Sequence, residues 1–104
     1  MRDLVIEPEA DDELTAALDW YEAQERGLGA ALLAEIDGVL GGLRAGELRG
    51  VGVPDVREHL AVRRVILDRF PYAVVFLDHA AIVHVLAFAH HKRRPGYWAA
   101  RIRP

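Results

Sequence analysis

The chain of 104 residues contains no cysteine. This absence excludes disulfides, cysteine-rich zinc sites and thiol nucleophiles, and it is typical of proteins from a reducing cytosol. No stretch approaches the roughly 18 apolar residues that a membrane span requires, and Met1–Leu4 is not followed by the apolar segment of a signal peptide. The length suits one domain over residues 1–104. We therefore expect a soluble, cytoplasmic, single-domain protein that does not engage a membrane.

Basic residues are outnumbered, with 13 Lys and Arg against 16 Asp and Glu and a net charge of −3. Their distribution is uneven. Residues 1–47 hold twelve acidic and three basic side chains, whereas residues 90–104 hold five basic side chains and no acidic one. Such asymmetry carries more information than the mean. The basic tail is either a binding site for a target or a solvated cationic end.

Two helices are predicted after a short first strand, Leu4–Ile6. Pro8 is suited to the first helical turn, where its missing N–H costs nothing. Apolar residues then recur at helical spacing in two stripes separated by Arg26–Gly29: Leu14, Ala17, Leu18 and Tyr21, then Leu28, Leu32, Ile36, Val39 and Leu43. The two stripes predict an antiparallel helical hairpin. Glycines at 38, 41 and 42 indicate either close packing or a frayed helix end.

The second half of the chain changes to a period of two. After a long loop over residues 44–61, we expect three strands, Val62–Leu67, Tyr72–Leu77 and Ala81–Ala89, joined by short turns into an antiparallel meander. The last strand is almost wholly apolar and should be central. The fold class is α+β, in the order β-α-α-β-β-β, with the hairpin on one sheet face and a short C-terminal helix or tail. The neighbour of the first strand stays open.

Three segments carry a family resemblance. They are Asp19–Glu22 with Gln24 and Gly27–Gly29, then Val62–Arg64 through Arg69–Phe76, and finally Val85–His90 with Arg93–Trp98. In this order, they resemble the RelE/ParE toxin superfamily, and within it the ParE-like plasmid-stabilisation branch of type II toxin–antitoxin systems.

The resemblance implies a toxin that inhibits bacterial growth and is neutralised by a cognate antitoxin in a heterocomplex, with promoter DNA contacted only through the antitoxin. It implies no cofactor and no metal. RelE-like members cut messenger RNA in the ribosome, and ParE-like members poison DNA gyrase. A non-toxic interaction module of the same fold is a third hypothesis.

A metal-independent ribonuclease needs cations for the charged phosphorane and proton carriers such as Tyr or His. The candidates for catalysis are Arg64, Arg69, His90, Arg93, Arg94 and Tyr97. The candidates for target or nucleic-acid binding are Arg64, Lys92, Arg93, Arg94 and Arg101. Ribosome-cutting members resemble the chain in a basic residue like Arg64, but they carry two further cations where this sequence has Ile66 and Ala73. A protein target such as gyrase is therefore preferred to messenger RNA.

Several of these residues have plainer interpretations. His90 and His91 are adjacent in a strand and so point to opposite faces, which disfavours joint metal binding. Tyr97 and Trp98 are as well explained by an aromatic clamp that pins the tail as by a functional role. His84, inside an apolar strand, is expected to be a hydrogen-bonded structural residue.

The antitoxin has two possible docking modes. A basic, amphipathic antitoxin segment would suit the acidic helices, with apolar anchors at Leu18, Trp20, Tyr21 and Leu40, of which Leu18 and Leu40 are expected to be exposed. An acidic antitoxin tail would instead neutralise the arginines Arg93, Arg94 and Arg101.

Overall fold

The computed structural model describes residues 1–53 and 61–102 of the chain. The elements are β1 (Asp3–Ile6), α1 (Pro8–Gln24), α2 (Leu28–Ala45), β2 (Val51–Gly52), β3 (Val62–Ile66), β4 (Tyr72–Asp78), β5 (Ile82–His90) and a C-terminal 3₁₀ helix (Tyr97–Arg101). The predicted α+β class is confirmed, with its helical hairpin between the first strand and the meander.

The turn between the helices is held by a side chain of α1. The carboxylate of Glu22 accepts the backbone N–H groups of Gly27 and Gly29, each at 3.0 Å from one of its oxygens. The first N–H groups of a helix lack partners within the helix and favour negative charge. Glu22 thus caps α2 and fixes the reversal of the chain.

The sheet order is β1-β5-β4-β3-β2. β3, β4 and β5 form the predicted antiparallel meander, and β1 pairs with β5 in parallel, Asp3 opposite Ile82. This pairing supplies the neighbour of the first strand. β5 is an interior strand with partners on both sides, although β4 takes the middle of the five described strands.

The predicted loop over residues 44–61 needs correction. α2 continues to Ala45, and Val51–Gly52 forms a short antiparallel strand beside β3. The guanidinium of Arg63 holds this segment by donating to the carbonyl oxygens of Arg49 at 2.7 Å and Gly50 at 2.8 Å. A strand of two residues has no period that the sequence can reveal. The part of the predicted loop over residues 54–60 lies outside the described residues.

The described residues form two apolar cores, which lie on opposite faces of the sheet. The helices cover one face, where Leu32, Ile36, Phe76 and Val85 are fully buried. The second core contains Val62, Val75, Leu77, Leu86, Ala87 and Trp98. The register shifts from Val75 opposite Ala87 to Phe76 opposite Val85, which leaves Leu86 as the extra residue of a bulge on β5. The bulge puts two consecutive residues of β5 into the second core.

The expectation that Leu18 and Leu40 are exposed was wrong for Leu40. Leu40 is buried, with 7% of its surface accessible, and belongs to the core under the helices. Leu18 is partly buried against that same core. Both face inward because the apolar stripe of each helix packs on the sheet. Among the described residues, no helix is long and apolar enough to cross a membrane.

His84 has the structural role that its setting in an apolar strand predicts. Its Nε2 lies 2.9 Å from Oε1 of Glu7, the buried residue immediately before α1. The pair fastens the start of α1 to β5.

The two interpretations of the α2 glycines can be separated by substitution. A Cβ on Gly38 or Gly41 meets nothing within 4 Å, and one on Gly42 approaches the Cβ of Leu48 to 3.1 Å. Of the three glycines at 38, 41 and 42, only Gly42 is therefore closely packed. The tighter helix contact is at Gly29, where a Cβ would lie 2.9 Å from the carbonyl oxygen of Leu18.

We predict opposite effects for Gly29→Ala and Gly38→Ala. Gly29→Ala should lower the free energy of unfolding by about 1–3 kcal/mol, because the added methyl forces the helices apart. Gly38→Ala should raise it by up to about 1 kcal/mol, because alanine is the better helix former. Urea unfolding of the two variants measures both changes. Stabilisation by both would contradict the close helix contact at Gly29.

Candidate functional site

A groove of about 730 Å³ lies on the sheet face opposite the helical hairpin. Its floor is formed by strand residues Arg64, Ile66, Ala73, Val75 and Ala89, and one wall by residues 93–99 with Ile102. Val53 contributes from the segment after β2, and His90 and His91 from the end of β5. The second core closes the groove from below. The C-terminal segment therefore forms one side of a depression in the sheet.

Five of the six predicted catalytic residues meet in this groove. They are Arg64 from β3, His90 from the end of β5, and Arg93, Arg94 and Tyr97 from the C-terminal segment. The meander brings β3 and β5 to either side of β4, and the chain after β5 folds back across the face. The topology thus brings these five candidate residues together on one face of the sheet.

Arg69 and Lys92 lie outside the groove lining. Arg69 is exposed in the turn before β4, with its guanidinium carbon 5.5 Å from the centre of the Phe70 ring. Lys92 is exposed in the turn after β5, where its backbone N–H donates to Nδ1 of His90 at 3.0 Å.

Arg101 is held by an ion pair beside the sheet. Its guanidinium donates to both carboxylate oxygens of Glu13, at 2.9 and 3.1 Å, and to the carbonyl oxygen of Leu86 at 2.9 Å. The hydrogen bond to Glu13 raises the pKa of Arg101 above its ordinary value. Arg101 therefore contributes to the structure of the tail and presents little charge to a target.

Tyr97 is held by the same carboxylate. Its hydroxyl donates to Oε2 of Glu13 at 2.5 Å. The guanidinium carbon of Arg93 lies 3.8 Å from the centre of its ring, and that of Arg101 lies 5.1 Å from it. Burial and the hydrogen bond to Glu13 raise the pKa of the Tyr97 phenol far above its ordinary value. The phenol is neutral and already donates its proton to a partner.

The aromatic clamp formed by Tyr97 and Trp98 is present. Trp98 is buried in the second core, with 4% of its surface accessible. A 3₁₀ helix of one or two turns has weak hydrogen-bond geometry of its own. Its place over the sheet therefore depends on these two aromatic residues and on Arg101.

The centre of the floor is apolar where the nuclease resemblance calls for cations. Ile66 and Ala73 are direct partners across β3 and β4, and both line the groove. Ile66 is 52% exposed, so its side chain is presented to whatever enters. The sheet therefore places side by side the two positions that lack the expected cations, and together they form one apolar surface.

Arg64 lies next to this surface, opposite Val75 on β4. Its Nε atom is buried and has no hydrogen-bond partner within residues 1–53 and 61–102. A buried donor without an acceptor costs about 1–3 kcal/mol, which a bound acceptor would recover.

The residues predicted to bind an antitoxin on the helices differ in accessibility. Trp20 is 58% exposed and borders a smaller depression of about 300 Å³, together with Glu13, Tyr72, His90, Arg93 and Tyr97. Tyr21 packs edge-on against Phe70 and Tyr72. Trp20 is thus the accessible aromatic of the predicted set, and Leu40 cannot be contacted without opening the core.

The similarity of this chain to known proteins lies in its fold. No protein-family model matches the chain, and no curated protein matches it by sequence. Among solved structures, it is similar to a chain of the chromosomal ParDE toxin–antitoxin (TA) system from P. aeruginosa, with 21% identity and a TM-score of 0.69. The match covers 86% of this chain and 96% of the other. The chain has the fold of this ParDE protein. The fold that the sequence resemblance implies is therefore confirmed, at the level of the fold alone.

Glu13 is the site residue that the sequence interpretation missed. In the sequence, it is only one of the twelve acidic side chains of residues 1–47. Its position carries a signal, because it lies three residues after Ala10 and four before Ala17, both buried in the core. Residues at these spacings share a helix face. An acid on the buried face of a helix requires partners.

We predict that the contribution of Tyr97 to stability depends on pH. Tyr97→Phe should lower the free energy of unfolding by about 1–2 kcal/mol near neutrality, because Glu13 loses a donor. A raised pKa in the folded state gives stability that is complete below the ordinary tyrosine pKa of about 10 and declines above it. Denaturant unfolding at several pH values should therefore show the two proteins converging above pH of about 10. A constant difference would contradict the assignment.

Proposed function

We propose that the chain is the cytoplasmic toxin of a type II toxin–antitoxin pair. It inhibits bacterial growth by binding a protein target such as DNA gyrase through the groove, and a cognate antitoxin neutralises it. The fold shared with the ParDE protein supports the class. The apolar pair Ile66 and Ala73 at the centre of the groove carries the choice of a protein target.

The chemistry of the floor favours protein over RNA. Binding to a nucleic-acid backbone depends on cations that neutralise phosphates. Protein interfaces depend instead on apolar or aromatic anchors at their centre, surrounded by a polar rim. Ile66 supplies such a centre with its exposed side chain, which lies beside the buried Ala73 and Val75, and Arg64, Arg93 and Arg94 surround it.

The state of Tyr97 supports the same choice. A general base must accept a proton from the 2′-OH near neutral pH. The phenol of Tyr97 is neutral, with a strongly raised pKa, and its hydroxyl proton is directed to Glu13. In this arrangement, Tyr97 shapes the groove and does not act as a base.

The rim gives the expected chemistry of the target segment and of the antitoxin segment that competes with it. Both should present an apolar side chain to the floor and carboxylates to Arg93 and Arg94. One carboxylate would supply the acceptor that the Nε of Arg64 lacks among the described residues. The antitoxin forms a heterocomplex with the chain, and promoter DNA is contacted through the antitoxin.

A second candidate, a RelE-like endoribonuclease acting on messenger RNA in the ribosome, is favoured by one observation. Arg64, His90, Arg93 and Arg94 share a single groove with His91. These residues supply cations and imidazole groups without a metal.

We predict that inducing the chain alone stops growth, and that the product of a small neighbouring gene restores it and forms a stable complex with the chain. Normal growth at high expression would contradict the toxin hypothesis and leave the hypothesis of a non-toxic interaction module. Growth curves and co-purification measure these outcomes.

The target is identified by two assays on the same preparation. The purified chain should inhibit supercoiling by gyrase, and messenger RNA from induced cells should keep intact ends. In-frame cuts in messenger RNA, with supercoiling unaffected, would contradict the protein target and support the ribonuclease hypothesis.

We predict that Ile66→Glu reduces growth inhibition roughly tenfold or more in effective dose, because it places a charge at the apolar centre of the interface. Ile66 is exposed, so the fold should persist. Leu33→Glu is the matched control, since Leu33 is 39% exposed on α2 and lies outside the groove lining. Dose–response curves for growth test both variants. Equal loss in the two would show that the groove is not the site of action.

A further inference from the structure

The carboxylate of Glu13 joins three parts of the molecule. Glu13 belongs to α1. Its carboxylate accepts hydrogen bonds from the backbone N–H of Phe88 on β5, at 3.2 Å, and from the side chains of Tyr97 and Arg101 in the C-terminal helix. A carboxylate has about four acceptor positions. The hydrogen bonds from Phe88, Tyr97 and the two nitrogens of Arg101 match that number.

Glu13 accepts hydrogen bonds from both ends of the C-terminal 3₁₀ helix. Tyr97 is the first residue of that helix and Arg101 is the last. The buried ring of Trp98 fixes the distance of the helix from the sheet. Apolar burial is non-directional, whereas hydrogen bonds at both ends of the helix fix its rotation relative to the sheet. A residue of α1, the helix on the opposite face of the sheet, thus determines the orientation of the groove wall.

Glu13 also acts on a cation that lines the groove. Arg93 stacks on the ring of Tyr97 and lies 4.0 Å from Oε2 of Glu13. Its side chain is 55% exposed, so it remains accessible to a ligand. Arg93 borders both the groove and the smaller depression beside Trp20. Its position between the two depends on the ring that Glu13 holds.

We propose that Glu13 is the positioning residue of the groove, orienting the wall formed by residues 93–102 and its cation Arg93 for the protein target. The inference rests on the proposed function for the identity of the ligand. The orientation of the wall by Glu13 is independent of that identity.

The test compares Glu13→Gln with Asp12→Asn. Both replace an acid by its amide on α1, but Asp12 is exposed and Glu13 binds the wall. Glu13→Gln should weaken inhibition of gyrase or of growth about tenfold or more, and Asp12→Asn should leave it unchanged. Hydrogen exchange of residues 93–102 should accelerate in Glu13→Gln alone.

A stabilised background separates positioning from general stability. Combining Glu13→Gln with Gly38→Ala raises thermal stability at a site remote from the groove, because alanine is the better helix former. Inhibition should stay weak in the double variant if Glu13 positions the wall. Recovery of inhibition together with stability would overturn the proposal.

A third measurement does not depend on the target. The phenolate absorbance of Tyr97, identified by its loss in Tyr97→Phe, should develop at lower pH in Glu13→Gln than in the unmodified chain. An unchanged tyrosine titration together with unchanged exchange of the wall would overturn the role of Glu13. A wild-type chain that inhibits neither gyrase nor growth contradicts the proposed function alone, since the exchange and titration results still decide the role of Glu13.

Discussion

β5 imposes the main constraint on this fold. Apart from His84 and the terminal His90, its nine residues are apolar, and it is hydrogen-bonded to β4 on one side and β1 on the other. Both faces must therefore be removed from water. The helical hairpin covers one face, and the C-terminal segment covers part of the other with Trp98. The groove is the part of that second face which residues 1–53 and 61–102 leave open.

The second layer is thin and therefore needs polar contacts. Five residues of 3₁₀ helix cannot form a core of their own, and one tryptophan provides most of their apolar burial. Glu13 reaches this layer from α1 at the edge of the sheet. A charged group away from water is stable only when its hydrogen bonds are satisfied, and Glu13 meets this condition with donors from β5 and from both ends of the helix. The same contacts that stabilise the tail set the shape of the groove.

The basic tail shows how tertiary contacts redistribute charge. The sequence gives equal weight to Arg93, Arg94 and Arg101. In the folded chain, Arg101 is paired with Glu13 and Leu86, and Arg93 is stacked on Tyr97 yet accessible. The groove is thus less basic than the tail, and its floor is apolar at Ile66 and Ala73. These features agree with a partner that carries apolar and acidic side chains.

The sequence by itself determined the class of the fold, the helical stripes, the meander and the interior position of β5. These follow from local periodicity, because helices and strands repeat their buried positions at fixed intervals. It also indicated Arg64, His90, Arg93, Arg94 and Tyr97 as candidates for one site. Only the tertiary structure decided that β1 lies beside β5, that Val51–Gly52 forms a strand, that Leu40 is buried and that Glu13 binds Tyr97 and Arg101. Each of these depends on residues distant in the chain, as with Glu13 and Tyr97, which are separated by 84 in the sequence. Periodicity is a local property, and it carries no information about which distant side chains meet.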